Sequence, residues 1–289
     1  MTKKKTRIKL KLTRRDFLFV GGTAAGSIVA AQLLTTGPLS PFASFKQEQV
    51  EGLEETSLHA SGHRWGMVIN LDKCIGCEYC LRACSATNDV LVDSSDKEQD
   101  QEDQRPEKPW NIVVQEKTST GTPFFFSRPC LHCGDAPCVE VCPVQATYHR
   151  DDGLVIMNYD RCIGCRYCEI ACPYDARKFN WHARTDVNPF IPTWGIAEVE
   201  RRPRGVVEKC TFCIHRIDAG LKAGLIPGEN REATPACVNI CPVGARIFGN
   251  LNDPNSTVSH AIATEATIRL REELGTEPSV YYVIPKEGL

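Results

Sequence analysis

Apolar positions fall along this chain in short, interrupted blocks. From Gly62 to Leu289 no block approaches the roughly 18 consecutive apolar residues of a membrane span. Trp110–Gln115 reads as a strand. Ala146–Tyr148 and Leu154–Met157 flank Asp151, Asp152 and Gly153, which predicts a hairpin closed by an Asp-Gly turn. Val258, Ile262, Ala266, Ile268, Leu270 and Leu274 recur at helical spacing, which predicts a helix over 258–274 that stops at Gly275. Tyr281–Ile284 reads as a short strand, and both C-terminal elements are expected to pack on the core or on a neighbouring subunit. Between the first blocks, Asp93–Lys108 holds seven acids and three bases and reads as a solvated insertion, with docking as the weaker alternative. No period of 20–50 residues suggests a solenoid.

The N-terminus has a different pattern. Residues 1–15 carry eight bases and no acid, and a weakly apolar stretch rich in Gly and Ala follows from Phe17 to Leu34. This is the layout of a signal peptide. Arg14 and Arg15 before Phe17 and Leu18 resemble a twin-arginine signal, whose substrates leave the cytoplasm already folded. Ala43 is a candidate last residue of the leader, although Pro41 is ill suited to its position; an uncleaved anchor is the alternative. The expected location is the periplasm or the outer face of the cytoplasmic membrane, with attachment through a partner. The net charge is −2, and residues 1–43 hold eight bases and one acid, so the remainder is near −9. That excludes a strongly basic nucleic-acid binder and disfavours direct binding to anionic lipid.

Composition adds one decisive feature. Of 289 residues, 42% are hydrophobic and 24% charged, enough for a packed core, and sixteen are cysteine. These form four quartets with none left over: Cys74-x2-Cys77-x2-Cys80-x3-Cys84, Cys130-x2-Cys133-x4-Cys138-x3-Cys142, Cys162-x2-Cys165-x2-Cys168-x3-Cys172 and Cys210-x2-Cys213-x23-Cys237-x3-Cys241. Pro143, Pro173 and Pro242 follow the last three quartets; Ser85 follows the first, so its helix is expected to run on toward Val90. The first and third quartets repeat each other at nine of thirteen positions. Pro143-Val144-Gln145-Ala146, Pro173-Tyr174-Asp175-Ala176-Arg177 and Pro242-Val243-Gly244-Ala245-Arg246 echo one another.

Three cysteines at x2 intervals wrap around one small object if the backbone curls tightly, and Gly76 and Gly164 permit the curl. The fourth cysteine is expected to start a helical turn aimed elsewhere. The x2-x2-x3-Pro run is the bacterial [4Fe–4S] signature, in which the fourth cysteine serves the other cluster of a pair. Structural zinc fits only the fourth quartet, because a third close cysteine has no zinc role. A disulfide framework is disfavoured by the tight triplets and the chain length. The chain lacks G-x-G-x-x-G after a strand, a Walker loop, H-E-x-x-H and G-x-S-x-G, so a self-contained enzyme has no support. A metal-sensing module is disfavoured by the export signal.

The quartets in this order, with x4 in the second and a long gap in the fourth, resemble the four-cluster iron–sulfur subunits of membrane-bound molybdopterin oxidoreductases, such as dimethyl-sulfoxide, polysulfide and tetrathionate reductases. The resemblance runs from Trp65 to Pro285. It implies an α+β fold of two interlocked bacterial-type dicluster ferredoxin units, rich in loops, short hairpins and short helices. One unit would comprise 62–125 with 177–249, the other 126–176, with 250–289 packed on the core. It also implies four [4Fe–4S] clusters: Cys74, Cys77 and Cys80 with Cys241; Cys210, Cys213 and Cys237 with Cys84; Cys130, Cys133 and Cys138 with Cys172; Cys162, Cys165 and Cys168 with Cys142. Backbone amides are expected to supply most hydrogen bonds to sulfur. The implied partners are a catalytic molybdopterin subunit and a multi-span quinone-reactive membrane subunit, with no nucleic acid. A non-molybdenum respiratory complex and a free periplasmic polyferredoxin remain alternatives.

Beside the ligands, Tyr79, His132, Tyr167 and Phe212 each precede or nearly precede a cysteine and are expected to pack over the clusters and exclude water. His215 reads as a packing or surface residue rather than a ligand. Arg201, Arg202 and Arg204 read either as a solvated edge or as a face for an acidic partner.

Overall fold

The computed structural model describes residues 62–92, 109–183 and 185–286. The expected leader and the acidic insertion lie outside the described residues. In chain order the elements are β1 (Trp65–Asn70), α1 (Tyr79–Asn88), β2 (Ile112–Lys117), β3 (Pro123–Arg128), α2 (Pro137–Glu140), β4 (Thr147–His149), β5 (Val155–Met157) and α3 (Tyr167–Ala171). They continue with β6 (Arg177–Phe179), β7 (Val207–Lys209), α4 (Ile214–Lys222), α5 (Ala236–Asn239), β8 (Arg246–Asn250), α6 (Thr257–Thr264), β9 (Thr267–Arg269) and β10 (Val280–Val283). This is a mixed helix-and-strand fold of short helices and short hairpins. Among the described residues no helix is long and apolar enough to cross a membrane.

One four-stranded sheet, in the order β8-β1-β10-β9, forms the floor of the molecule. β1 is central, antiparallel to β8 and parallel to β10. All six of its residues are buried, which a central strand covered on both faces requires. Trp65 and Phe248 stack across β1 and β8 with centroids 5.8 Å apart, and Phe212 meets Phe248 edge-on at 5.4 Å. On the other side Val258 of α6 packs on Gly249, so the C-terminal helix covers the sheet. The Ser256 hydroxyl caps α6 by accepting from the Ser259 N–H.

Three two-stranded antiparallel sheets complete the fold: the hairpins β2–β3 and β4–β5, and the pair β6–β7, whose strands are joined by a long connection. The predicted hairpin at 146–157 is β4–β5, with Thr147 opposite Met157. Its turn is docked rather than free. Asp152 is 1% exposed, accepts from the Trp65 indole at 2.9 Å and pairs with Arg150. The first quartet's helix runs on past Cys84 as expected, to Asn88, with Ser85 buried.

The C-terminal helix is shorter than its pattern predicts. α6 stops at Thr264, and Thr267–Arg269 pairs antiparallel with β10. Ala266, Ile268 and Leu270 satisfy a period of two as well as a helical period, and the free edge of β10 decides between them. Gly275 still ends a helical turn, a single 3-10 one, with φ of +66°.

Phe248 joins the sheet to the cysteine-rich half of the core. Phe248→Ala is expected to cost about 3–5 kcal/mol, read as a melting temperature lowered by roughly ten degrees in a thermal unfolding scan of the cofactor-loaded chain.

Candidate iron–sulfur centres

The first and third quartets are built by the same local device. Gly76 and Gly164 have φ of +70° and +69°, and the next non-cysteine positions, Glu78 and Arg166, are also left-handed at +60° and +65°. Alternating left-handed residues coil the x2-x2 loops tightly enough for three thiols to face one space. A short helix carries the third cysteine of every quartet: Cys80 in α1, Cys138 in α2, Cys168 in α3 and Cys237 in α5. The fourth cysteine therefore ends a helical turn instead of starting one, except that α1 continues through Cys84. Beyond it, the third residue after the cysteine is left-handed in the last three quartets: Gln145 at +52°, Asp175 at +50° and Gly244 at +60°. That reversal aims the next N–H back at sulfur. Ala146 N donates to Cys142 Sγ at 3.2 Å, and Ala245 N to Cys241 Sγ at 3.2 Å. The Ala176 N–H makes the same contact with Cys172.

The structure brings the quartets together crosswise. Cys74, Cys77, Cys80 and Cys241 line one cavity together with Ile69, Val113 and Arg246. Cys84 is fully enclosed. Burial holds its thiol pKa well above the ordinary value, and Cys210, Cys213 and Cys237 push it further, so these four are mutual electrostatic neighbours. Burial likewise raises Cys133 to about 12, reinforced by Cys130, Cys138 and Cys172. Cys168 is raised by burial and lies near Cys162 and Cys138; Cys142 shares the Arg177 guanidinium with it. Cys165 is the exposed member of its quartet. Burial works against the Cys142 thiolate too, but the N–H groups of Thr147, Val144 and Ala146 outweigh it and lower its pKa.

The positions beside the cysteines divide. His132 is 0% and Phe212 1% exposed, and their rings stack with centroids 3.9 Å apart. They join the second quartet to the fourth, where Cys130 and Cys210 also feel each other's charge. His132 accepts from the Val155 N–H at 3.2 Å, and burial holds its pKa well below the ordinary value, so it is a neutral ring. The water-excluding reading holds for this pair. It does not hold for Tyr79 and Tyr167, which are 37% and 59% exposed at the starts of α1 and α3. His215 is a packing residue bonded to Glu198 at 2.9 Å. Arg202 is on neither a solvated edge nor a docking face, whereas Arg201 is half-buried and Arg204 is exposed. Arg201 pairs with Asp89 at 2.9 Å, while Arg202 is buried, paired with Glu208 at 3.1 Å and stacked over Trp110 at 4.6 Å.

Comparison with known proteins agrees with this construction. Two models described as 4Fe-4S dicluster domains match, one at residues 121–187 and the other at 73–146 and 161–245. A Halobacterium salinarum protein assigned as the iron–sulfur subunit of a dimethyl sulfoxide reductase is 44% identical, covering 76% of this chain and 78% of its own. The chain belongs to the 4Fe–4S dicluster iron–sulfur subunits of reductase complexes. A subunit of the tetrathionate reductase of Salmonella typhimurium is 34% identical over 96% of this chain and 90% of its own. The iron–sulfur cluster-binding subunit of the menaquinone reductase of Nitratidesulfovibrio vulgaris is 40% identical over 78% and 90%. Like these, the iron–sulfur subunit transfers electrons within a complex and is not its catalytic member.

Two dicluster matches and sixteen cysteines account for four [4Fe–4S] clusters. The residues present suit such a group. Four thiolates packed in a dry space repel one another and lose their hydration, as the raised Cys84, Cys133 and Cys237 pKa values record. Iron supplies the positive charge that stabilises them as thiolates. Hydrogen bonds to their sulfurs come from backbone N–H groups, from the Asn88 amide and from arginine. Asn88 and the arginines had no weight in the spacing of the quartets. The repeated Arg after Pro-x-x-Ala was the visible signal for the latter.

Gly164 has no room for a methyl group: a Cβ there would lie 2.2 Å from the Gly205 carbonyl oxygen, at a left-handed φ. Gly164→Ala is expected to remove about one cluster in four, measured as iron per chain, while the visible absorption of the rest persists.

Proposed function

We propose that the sixteen cysteines serve as ligands in four crossed groups and that the chain conducts electrons along a line of four centres. The groups are Cys162, Cys165, Cys168 with Cys142; Cys130, Cys133, Cys138 with Cys172; Cys210, Cys213, Cys237 with Cys84; and Cys74, Cys77, Cys80 with Cys241. The two inner groups adjoin through Cys130 and Cys210. Cys138 links outward to Cys168, and Cys237 to Cys80. The observation that carries this reading is Cys84, whose electrostatic neighbours are the distant Cys210, Cys213 and Cys237 rather than its own quartet. Interlocking follows from that exchange. Residues 62–125 and 177–249 make one unit, 126–176 the other, and 250–289 lie on the core.

When bound, [4Fe–4S] clusters supply one-electron carriers. The chain's residues fix the thiolates, bond their sulfurs and exclude water, most completely around His132 and Phe212. The outer groups lie at the surface, each beside exposed apolar residues: Ile163, Tyr167 and Ile170 at one, Ile75 and Tyr79 at the other. Such patches suit protein partners at both ends. We assign one to a catalytic subunit, of the molybdopterin class, and the other to a multi-span quinone-reactive membrane subunit. A relative named as the iron–sulfur cluster-binding subunit of a menaquinone reductase supports the quinone-reactive partner. The paired Arg14 and Arg15 ahead of a weakly apolar stretch support export through the twin-arginine route to the outer face of the membrane.

The purified chain is expected to hold about 16 iron and 16 sulfide. Cys84→Ser is expected to change the EPR signal and potential of the cluster held by Cys210, Cys213 and Cys237. A change confined to the cluster of Cys74, Cys77 and Cys80 would refute the crossed assignment.

A further inference from the structure

Two buried arginines occupy matching places. Arg177 and Arg246 each lie five residues after the last cysteine of a quartet, at the start of β6 and of β8. They are 1% and 5% exposed. Arg177 donates to Cys138 Sγ at 3.0 Å, to Thr147 Oγ1 at 2.7 Å and toward Met157 Sδ at 3.1 Å. Arg246 donates to Asn111 Oδ1 at 2.8 Å, to the Ser127 hydroxyl and toward Met67 Sδ at 3.6 Å. Beyond Met1, Met67 and Met157 are the chain's only methionines, and each meets one of these two guanidinium groups.

Neither arginine forms an ion pair with a carboxylate among the described residues, although other buried arginines, Arg150 and Arg202, do. A guanidinium stays charged in a protein interior and demands a counter-charge. Only sulfur answers here. Arg177 touches Cys138 and also hydrogen-bonds Cys168, which belong to different groups. Arg246 hydrogen-bonds Cys237 and lies within electrostatic reach of Cys80 and Cys74, again two different groups. The neutral Thr147, Asn111 and Ser127 orient the forks without cancelling their charge.

We propose that Arg177 and Arg246 are paired positioning residues, each a buried cation shared by two neighbouring cluster sites, which raises both reduction potentials together and keeps them close. This rests on the crossed assignment above. Reduction adds a negative charge to a cluster, and a fixed positive charge between two clusters favours that change in both. A carboxylate partner would erase the effect, which accounts for the neutral surroundings. The two inner groups meet at the His132–Phe212 stack, where the buried Lys209 ammonium lies beside Cys210 and donates to its carbonyl, so neither Arg177 nor Arg246 spans that boundary.

The test is EPR-monitored redox titration of the iron-loaded chain. In Arg177→Met the clusters at Cys138 and Cys168 are expected to change their oxidised-to-reduced ratio at fixed potential at least tenfold toward oxidised, about 59 mV for one electron. The other two clusters stay put. Arg246→Met gives the complementary pattern. Arg177→Lys and Arg246→Lys, which keep a charge but lose the fork, shift the same clusters less than half as far. Unchanged potentials with iron retained, equal shifts of all four clusters, or Lys variants that shift as far as Met variants would overturn the proposal. So would loss of iron from both the Lys and Met variants, which would leave these residues a role in assembly alone. The iron and sulfide content of the unaltered chain reports separately on the cluster reading. A low content there contradicts that reading, whereas full content with unmoved potentials contradicts only the shared-cation role.

Discussion

The structure depends on keeping sixteen thiolates close together, with the inner ones buried away from water. Each group of four would be strongly self-repelling without positive charge at its centre, and burial makes the repulsion worse. Cys84 and Cys237 show this most clearly, enclosed and each facing other thiols. Cofactor binding and folding are therefore coupled. The protein's own means of easing the charge are N–H donors and cationic side chains, among them Arg177, Arg246, Lys209 and Arg216. The left-handed turns after Cys142, Cys172 and Cys241 exist to point those N–H groups at sulfur.

Around that constraint the rest of the fold is economical. The four-stranded floor and α6 supply an apolar base, and Trp65, Phe248 and Phe212 connect it to the inner cysteines. The C-terminal segment laces the second quartet to the floor: Gly134 N donates to Glu277 O at 2.8 Å, and Ser279 N to Leu131 O at 2.8 Å. Residues distant in sequence thus clamp one loop of ligands. Where water is excluded, the inner groups meet. Where the loops reach the surface, at Ile75 and Ile163, apolar side chains are exposed.

Much of the site was legible in the sequence because ligand spacing is a local property. The x2-x2 loops, Gly76, Gly164 and the hairpin at 146–157 all express short-range backbone geometry. The failures share a different cause. The helix predicted over 258–274 yields to β9 because the edge of β10 lies in reach, which is tertiary information. Arg202 looked like a surface charge in its Arg-Pro-Arg run, yet Trp110 and Glu208, brought from elsewhere, bury it. Tyr79 and Tyr167 occupy positions equivalent to Phe212 but sit at the exposed first residues of α1 and α3. Arg177 and Arg246 stood in a visible repeat, and only the fold shows that each has thiols of two groups around it.

Everything above turns on one chain holding four complete clusters in sites built from crossed quartets. Native mass spectrometry of the anaerobically purified chain counts them directly. Successive mass increments for one, two, three and four [4Fe–4S] units, with four dominant, are predicted. A dominant species with two clusters or fewer, or one whose extra mass matches zinc, would show that the quartets do not hold four clusters.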